Sequence, residues 1–121
     1  IKPLDGAVIC KFGKTQLMKD GYCVLRNGVI IQGMSNSDVV CVEDGKVLFV
    51  SNNFRSYGKI VIVEHPNNIH TIYGNLGEIT VTEGSWVKKA TSIGKADSSG
   101  QIYFEIRKDL IPLDPELYFI E

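Results

Sequence analysis

Gln101-Ile102-Tyr103-Phe104-Glu105-Ile106-Arg107 is the most informative stretch in the chain. Its even positions are Ile, Phe and Ile; its odd positions are Gln, Tyr, Glu and Arg. A period of two is the mark of a strand with one face on a core and the other turned outward. Moving upstream, Lys59-Ile60-Val61-Ile62-Val63-Glu64-His65 is a nearly continuous apolar run, which suits a strand buried on both faces. Pro66-Asn67-Asn68 turns the chain, and His70 to Leu76 returns. Val39 to Val42 leads into Glu43-Asp44-Gly45 and then Lys46 to Val50; Asp-Gly between apolar runs predicts a hairpin. Ala7 to Cys10, Val29 to Ile31 and Glu78 to Val81 read as further short strands. The one helical signal is a short turn at Asp114-Pro115-Glu116-Leu117-Tyr118, with Asp114 as N-cap and Pro115 at the first helical position. Many short strands at close spacing predict an all-β antiparallel sandwich or barrel, with residues 1–121 as one domain.

Composition narrows the function. The chain has 121 residues, a length that buries a real core without staples. A net charge of -1, with Lys and Arg spread along the chain, excludes the concentrated basic face that nucleic acid needs. No window approaches the run of about 18 apolar residues required to span a bilayer. Cys10, Cys23 and Cys41 are odd in number and form no C-x-x-C pair, so they read as small buried apolar side chains. A chain that begins at Ile1 reads as a piece of something longer, its targeting segment elsewhere.

Taken together, these segments resemble the LytM/lysostaphin-type metallopeptidase domain over nearly the whole chain. The matching pieces stand in the family's order. They are Asn27-Gly28-Val29-Ile30, Asp44-Gly45-Lys46-Val47, Tyr57-Gly58 ahead of Ile60 to His65, Thr71-Ile72-Tyr73, Glu83-Gly84 to Val87, Ile93-Gly94, Tyr103 to Arg107, and Leu113-Asp114-Pro115. The resemblance implies a LytM-like antiparallel fold. It also implies where a zinc site would lie: active members hold zinc with a His and an Asp of an H-x-G-x-D segment and the second His of an H-x-H segment. Two further histidines, one in a Tyr-x-His-Leu segment and the first of H-x-H, serve catalysis. Laid over this sequence, the first ligand falls on Arg26 and the ligand Asp on Ile30. The Tyr-x-His-Leu histidine falls on Asn75, and H-x-H on Gln101-Ile102-Tyr103. A guanidinium repels a dication and a butyl group donates nothing. The loop from Lys95 to Gly100 is also shorter than the family's usual Gly-rich segment. His65 and His70, flanking the Pro66 turn, read as strand-end residues.

No catalytic residue, metal ligand or cofactor is therefore expected. Within the family, the likeness runs to the degenerate LytM factors of the EnvC and NlpD type. These bind zinc-dependent N-acetylmuramoyl-L-alanine amidases of the Gram-negative periplasm and activate them during cell division. The resemblance implies a partner-binding groove lined by Arg26, Asn27, Ile30, Tyr57, Ile60, Tyr73, Asn75, Gln101, Tyr103 and Arg107. It further implies a periplasmic setting in the C-terminal part of a longer envelope protein. Three alternatives stand beside it: a scaffold module gripping peptidoglycan or another envelope protein, a zinc endopeptidase with atypical ligands, and a lipoyl-type carrier barrel with Lys46 on its turn.

Overall fold

The computed structural model of the chain describes residues 1–13, 15–18, 21–24 and 27–119. Arg26, the first residue of the expected groove, lies outside them. The strands are β1 (Ala7–Cys10), β2 (Thr15–Met18), β3 (Gly21–Val24), β4 (Val29–Gln32), β5 (Asp38–Val40), β6 (Gly45–Phe54), β7 (Gly58–His65), β8 (Ile69–Ile79), β9 (Trp86–Val87), β10 (Ser92–Ala96), β11 (Gln101–Lys108) and β12 (Ile111–Leu113). All pairings are antiparallel, and the main path runs β1-β4-β11-β8-β7-β6-β9, with β2 and β3 forming a separate hairpin. The fold is mostly antiparallel sheet, as the sequence predicts.

β8 holds the architecture together. Its first part pairs with β7 and β11, and its last part, from Leu76 (which still pairs with Lys59 of β7) to Ile79, pairs with β10, which in turn pairs with β5. The β5–β10 ladder thus brings Val39, Cys41, Ile93 and Ala96 onto the same core as Val29, Ile31, Val61, Val63, Tyr73, Ile102, Phe104 and Ile106 of the main sheet. Phe104 is fully buried, with ring centroids 5.2 Å from Tyr73 and 5.9 Å from Phe119. Truncating a phenylalanine so placed costs about 3–5 kcal/mol.

Several local readings hold. The Pro66–Asn68 turn joins β7 to β8, with Asn67 and Asn68 both at positive φ (65° and 61°), a region Asn tolerates better than most residues. Asp114 accepts a hydrogen bond from the Glu116 amide at 3.0 Å and caps a 3-10 turn over Pro115–Tyr118.

Two expectations need correction. Glu43-Asp44-Gly45 is no hairpin turn: β5 pairs with β10, while β6 pairs with β7 and β9. Gly45 is needed for a close approach instead, since a Cβ there would lie 2.5 Å from the Glu64 carbonyl. Asp44 is used as an anchor, accepting from the Lys89 amide at 2.8 Å. The cysteines are not all inert either. Cys41 is free and buried, but Cys10 is disulfide-bonded.

Candidate functional site

Strand alternation gives the main sheet two unlike faces. Directly paired residues in an antiparallel ladder share a face. On the face turned from the core, Tyr103 pairs with Ile30 on one side and Gly74 on the other, Glu105 pairs with Ile72, and Ile72 pairs with Ile62. The expected groove residues Ile30, Tyr57, Gln101, Tyr103 and Arg107 gather here or at its rim, all half-buried. Ile60 lies on this side too but is only 1% exposed, so it is floor rather than contact surface.

The centre of the face is Glu105, which is fully buried. Tyr57 donates its hydroxyl to Glu105 Oε2 at 2.8 Å, and Tyr103 donates to the same oxygen. Arg107 Nε donates to Oε1 at 2.7 Å, while its Nη1 reaches the Leu110 carbonyl at 3.2 Å. A buried carboxylate demands this treatment: without charge-assisted partners its desolvation would be prohibitive. Burial, reinforced by the hydrogen bond to Glu105, pushes the Tyr57 hydroxyl above its ordinary range and the Tyr103 hydroxyl well above it. Both phenols therefore remain donors near neutrality. For Arg107, burial pulls downward, but the Glu105 contact outweighs it and the net shift is upward.

Glycines make room for the cluster. A Cβ on Gly28 would lie 2.3 Å from the Phe104 carbonyl and 2.8 Å from Glu105 Cγ; one on Gly74 would lie 3.2 Å from the Tyr57 ring. From Tyr103, aromatic rings continue outward. Tyr103 and Tyr57 centroids are 5.5 Å apart, Tyr57 and Phe54 6.1 Å, Phe54 and Phe49 5.1 Å. This row, with Ile62 and Ile72, makes an apolar stripe on the outer face of the sheet that ends at the Glu105 clasp.

The remaining expected residues divide. Asn75 is exposed at φ 56° and donates to the Gln101 carbonyl at 3.1 Å; Gln101 in turn donates to the Gln32 side chain at 2.9 Å. Asn27 is exposed at the rim. Tyr73 is a correction. It points into the core, fully buried, and its hydroxyl receives the Val42 amide at 3.2 Å and sits 2.9 Å from Thr71 Oγ1. Its pairing with Phe104 puts it on the core face of β8. His65 and His70 also part company. His65 is buried between the Asp44 carbonyl and Thr71, each 2.8 Å away, while His70 on the opposite face lies 3.8 Å from Glu64. The reading missed Glu105 as a site residue, although alternation already set it beside Tyr103 and Arg107. It also missed Phe49 and Phe54, which no motif marks.

The family's zinc does not fit these donors. Ile30 offers none, Tyr103 spends its hydroxyl on Glu105, and Asn75 and Gln101 are carboxamides tied into local hydrogen bonds. Among the described residues, no three His, Cys, Asp or Glu side chains gather closely enough to hold a metal ion.

Known proteins sharpen the picture. The model of peptidase family M23 matches residues 24–115. The chain belongs to that family. A lipoprotein NlpD/LppB homolog of Pseudomonas aeruginosa is 33% identical over 120 residues, covering 96% of this chain and 38% of that protein. The murein hydrolase activator NlpD of Salmonella dublin is 30% identical over 109 residues, covering 87% of this chain and 27% of that protein. The chain thus spans well under half the length of these relatives. Among solved structures, a chain of the SpoIIIAH–SpoIIQ complex superimposes with a TM-score of 0.83 at 26% identity, covering 98% of this chain and 99% of that one. This M23 chain is accordingly a LytM-type domain whose named relatives include an NlpD/LppB lipoprotein homolog and a murein hydrolase activator.

Proposed function

We propose that this M23 chain is a non-catalytic factor that binds a periplasmic zinc-dependent N-acetylmuramoyl-L-alanine amidase and activates it. One observation carries the reading. Tyr103 stands where the family resemblance puts a zinc-binding histidine, and its hydroxyl is committed to buried Glu105. The apolar stripe beside it offers half-buried Tyr57, Phe54, Phe49 and Ile62. Aromatic anchors next to an arginine are the composition of protein-binding hot spots. An amphipathic segment of the amidase would lay its apolar face along this stripe. If the plugged amidase outnumbers the open form by about 100 to 1, the contact must favour the open form by roughly 3 kcal/mol to equalise them. The Cys10 disulfide suits an oxidising compartment such as the periplasm.

The test is dye release from labelled peptidoglycan by the purified amidase, with and without this chain. The expected result is faster release with the chain, none from the chain alone, and loss of stimulation in Phe54→Ala and Tyr57→Ala. An unchanged amidase rate together with absent binding overturns the proposal.

The likeness to a SpoIIIAH–SpoIIQ complex favours a second reading, a scaffold that joins another envelope protein without stimulating anything. Binding of the amidase with no change in its rate selects that reading.

A further inference from the structure

A depression of about 660 Å³ opens on the core side of the main sheet, between the β7–β8 turn, the Val42–Glu43 segment and the C-terminal 3-10 turn. Its size falls within the roughly 300–1,000 Å³ of ordinary ligand sites. The walls continue the core. Phe104 and Ile106 are buried, while Val42, Ile69, Leu113 and Phe119 are only half-buried and pack against the core from its edge. Phe104 and Ile106 alternate with Glu105 along β11, so the depression lies on the opposite side of the sheet from the clasp and the apolar stripe.

The polar groups of the lining divide by what they already bind. At the base, His65 places one ring nitrogen 2.8 Å from the Asp44 carbonyl and the other 2.8 Å from Thr71 Oγ1, and that oxygen lies 2.9 Å from the Tyr73 hydroxyl. No donor is left there for a polar ligand, so the interior favours an apolar one. At the mouth, Glu43, Asn67, Lys89 and Lys108 are exposed. Glu43 Oε1 accepts from the Asp44 amide at 3.1 Å, and Asn67 is neutral. The two ammonium groups have no partner among the described residues. An apolar interior under a mouth with one excess positive charge fits an aliphatic tail inserted inward and an anionic head held by the lysines. We propose that this depression binds a single-chain amphiphile with an anionic head, an alkyl carboxylate or alkyl phosphate. The site does not depend on the amidase reading above.

Calorimetric titration of this chain with octanoate, decanoate and dodecanoate, each below its micelle concentration, reads the tail. A saturable heat at one ligand per chain is expected, with affinity rising about fourfold per added methylene. Octanol should bind about three- to tenfold more weakly than octanoate, and octylammonium more weakly still. Octyl phosphate run beside octanoate identifies the head, the tighter of the two naming it. Lys89→Gln combined with Lys108→Gln should bring octanoate down to the level of octanol, with octanol binding and far-ultraviolet circular dichroism unchanged. No saturable heat up to about 10 mM octanoate, affinity indifferent to tail length, or octanoate binding equal in parent and double variant overturns the proposal. So does a stoichiometry well above one, which marks coating of the surface rather than filling of a site.

Discussion

Removing the guanidinium from the Glu105 clasp isolates the interaction on which the site rests. Arg107→Met keeps length and apolar bulk but deletes the Nε donor 2.7 Å from Glu105 Oε1. Breaking a buried ion pair by removing one partner costs about 3–5 kcal/mol, because the remaining charge stays buried. Glu105 is fully buried, but the Arg107 side chain is 24% exposed, so solvent already screens part of the pair. Two phenols also still donate to the carboxylate. These corrections bring the expected loss to about 2–3 kcal/mol. Against a typical total of about 5–15 kcal/mol, the variant still folds. Urea unfolding followed by circular dichroism measures the loss directly. Glu105→Gln is then combined with Arg107→Met in a double-mutant cycle. The carboxamide no longer needs a cation, so the double variant should recover about 1–2 kcal/mol relative to the sum of the singles. A single-variant loss below about 1 kcal/mol, the range of exposed pairs, or a coupling indistinguishable from zero refutes the clasp as described.

Gly28→Ala drives a Cβ to within 2.3 Å of the Phe104 carbonyl, which cannot step aside; a loss of about 2–3 kcal/mol in the same unfolding assay is expected. Tyr73→Phe leaves the Val42 amide short of its acceptor and should cost about 1–3 kcal/mol while partner binding in pull-down is untouched, because this ring faces the core. Stability should also depend on alkali. Tyr57, Tyr73 and Tyr103 all have hydroxyls pushed above the ordinary tyrosine range, first of all by burial. A raised folded value means their contribution is fully present below about pH 10 and is lost as pH rises past it. Urea midpoints measured from pH 8 to pH 11 should therefore be flat at first and fall above about pH 10; a midpoint that rises there contradicts the buried-phenol description.

Much of this was legible in the sequence, for identifiable reasons. Alternation in residues 101–107 gave the correct faces, since Ile102, Phe104 and Ile106 are buried. Asp114 with Pro115 gave the correct cap. Local signals fail where a distant pairing decides. Asp44-Gly45 has hairpin chemistry, yet β10 claims β5 and β7 claims β6, so the glycine serves a close approach to the Glu64 backbone. Tyr73 was placed by motif likeness in the groove, but the β8 register sets it opposite Phe104 on the core side. Glu105 was placed on the right face but not among the groove residues, because nothing local tells whether a strand carboxylate meets water or two phenols, one from a turn 48 residues away in sequence and one two positions along its own strand.

That carboxylate also constrains anyone who would turn the protein into a hydrolase. Planting imidazole at position 103 withdraws one phenol from an anion sealed off from water, so the first engineering step weakens the host before any metal can be gained. Histidines at positions 30 and 101 would add donors without relieving that deficit. A zinc-binding version needs the ion and all of its ligands supplied at once, or a new neighbour for Glu105 installed beforehand.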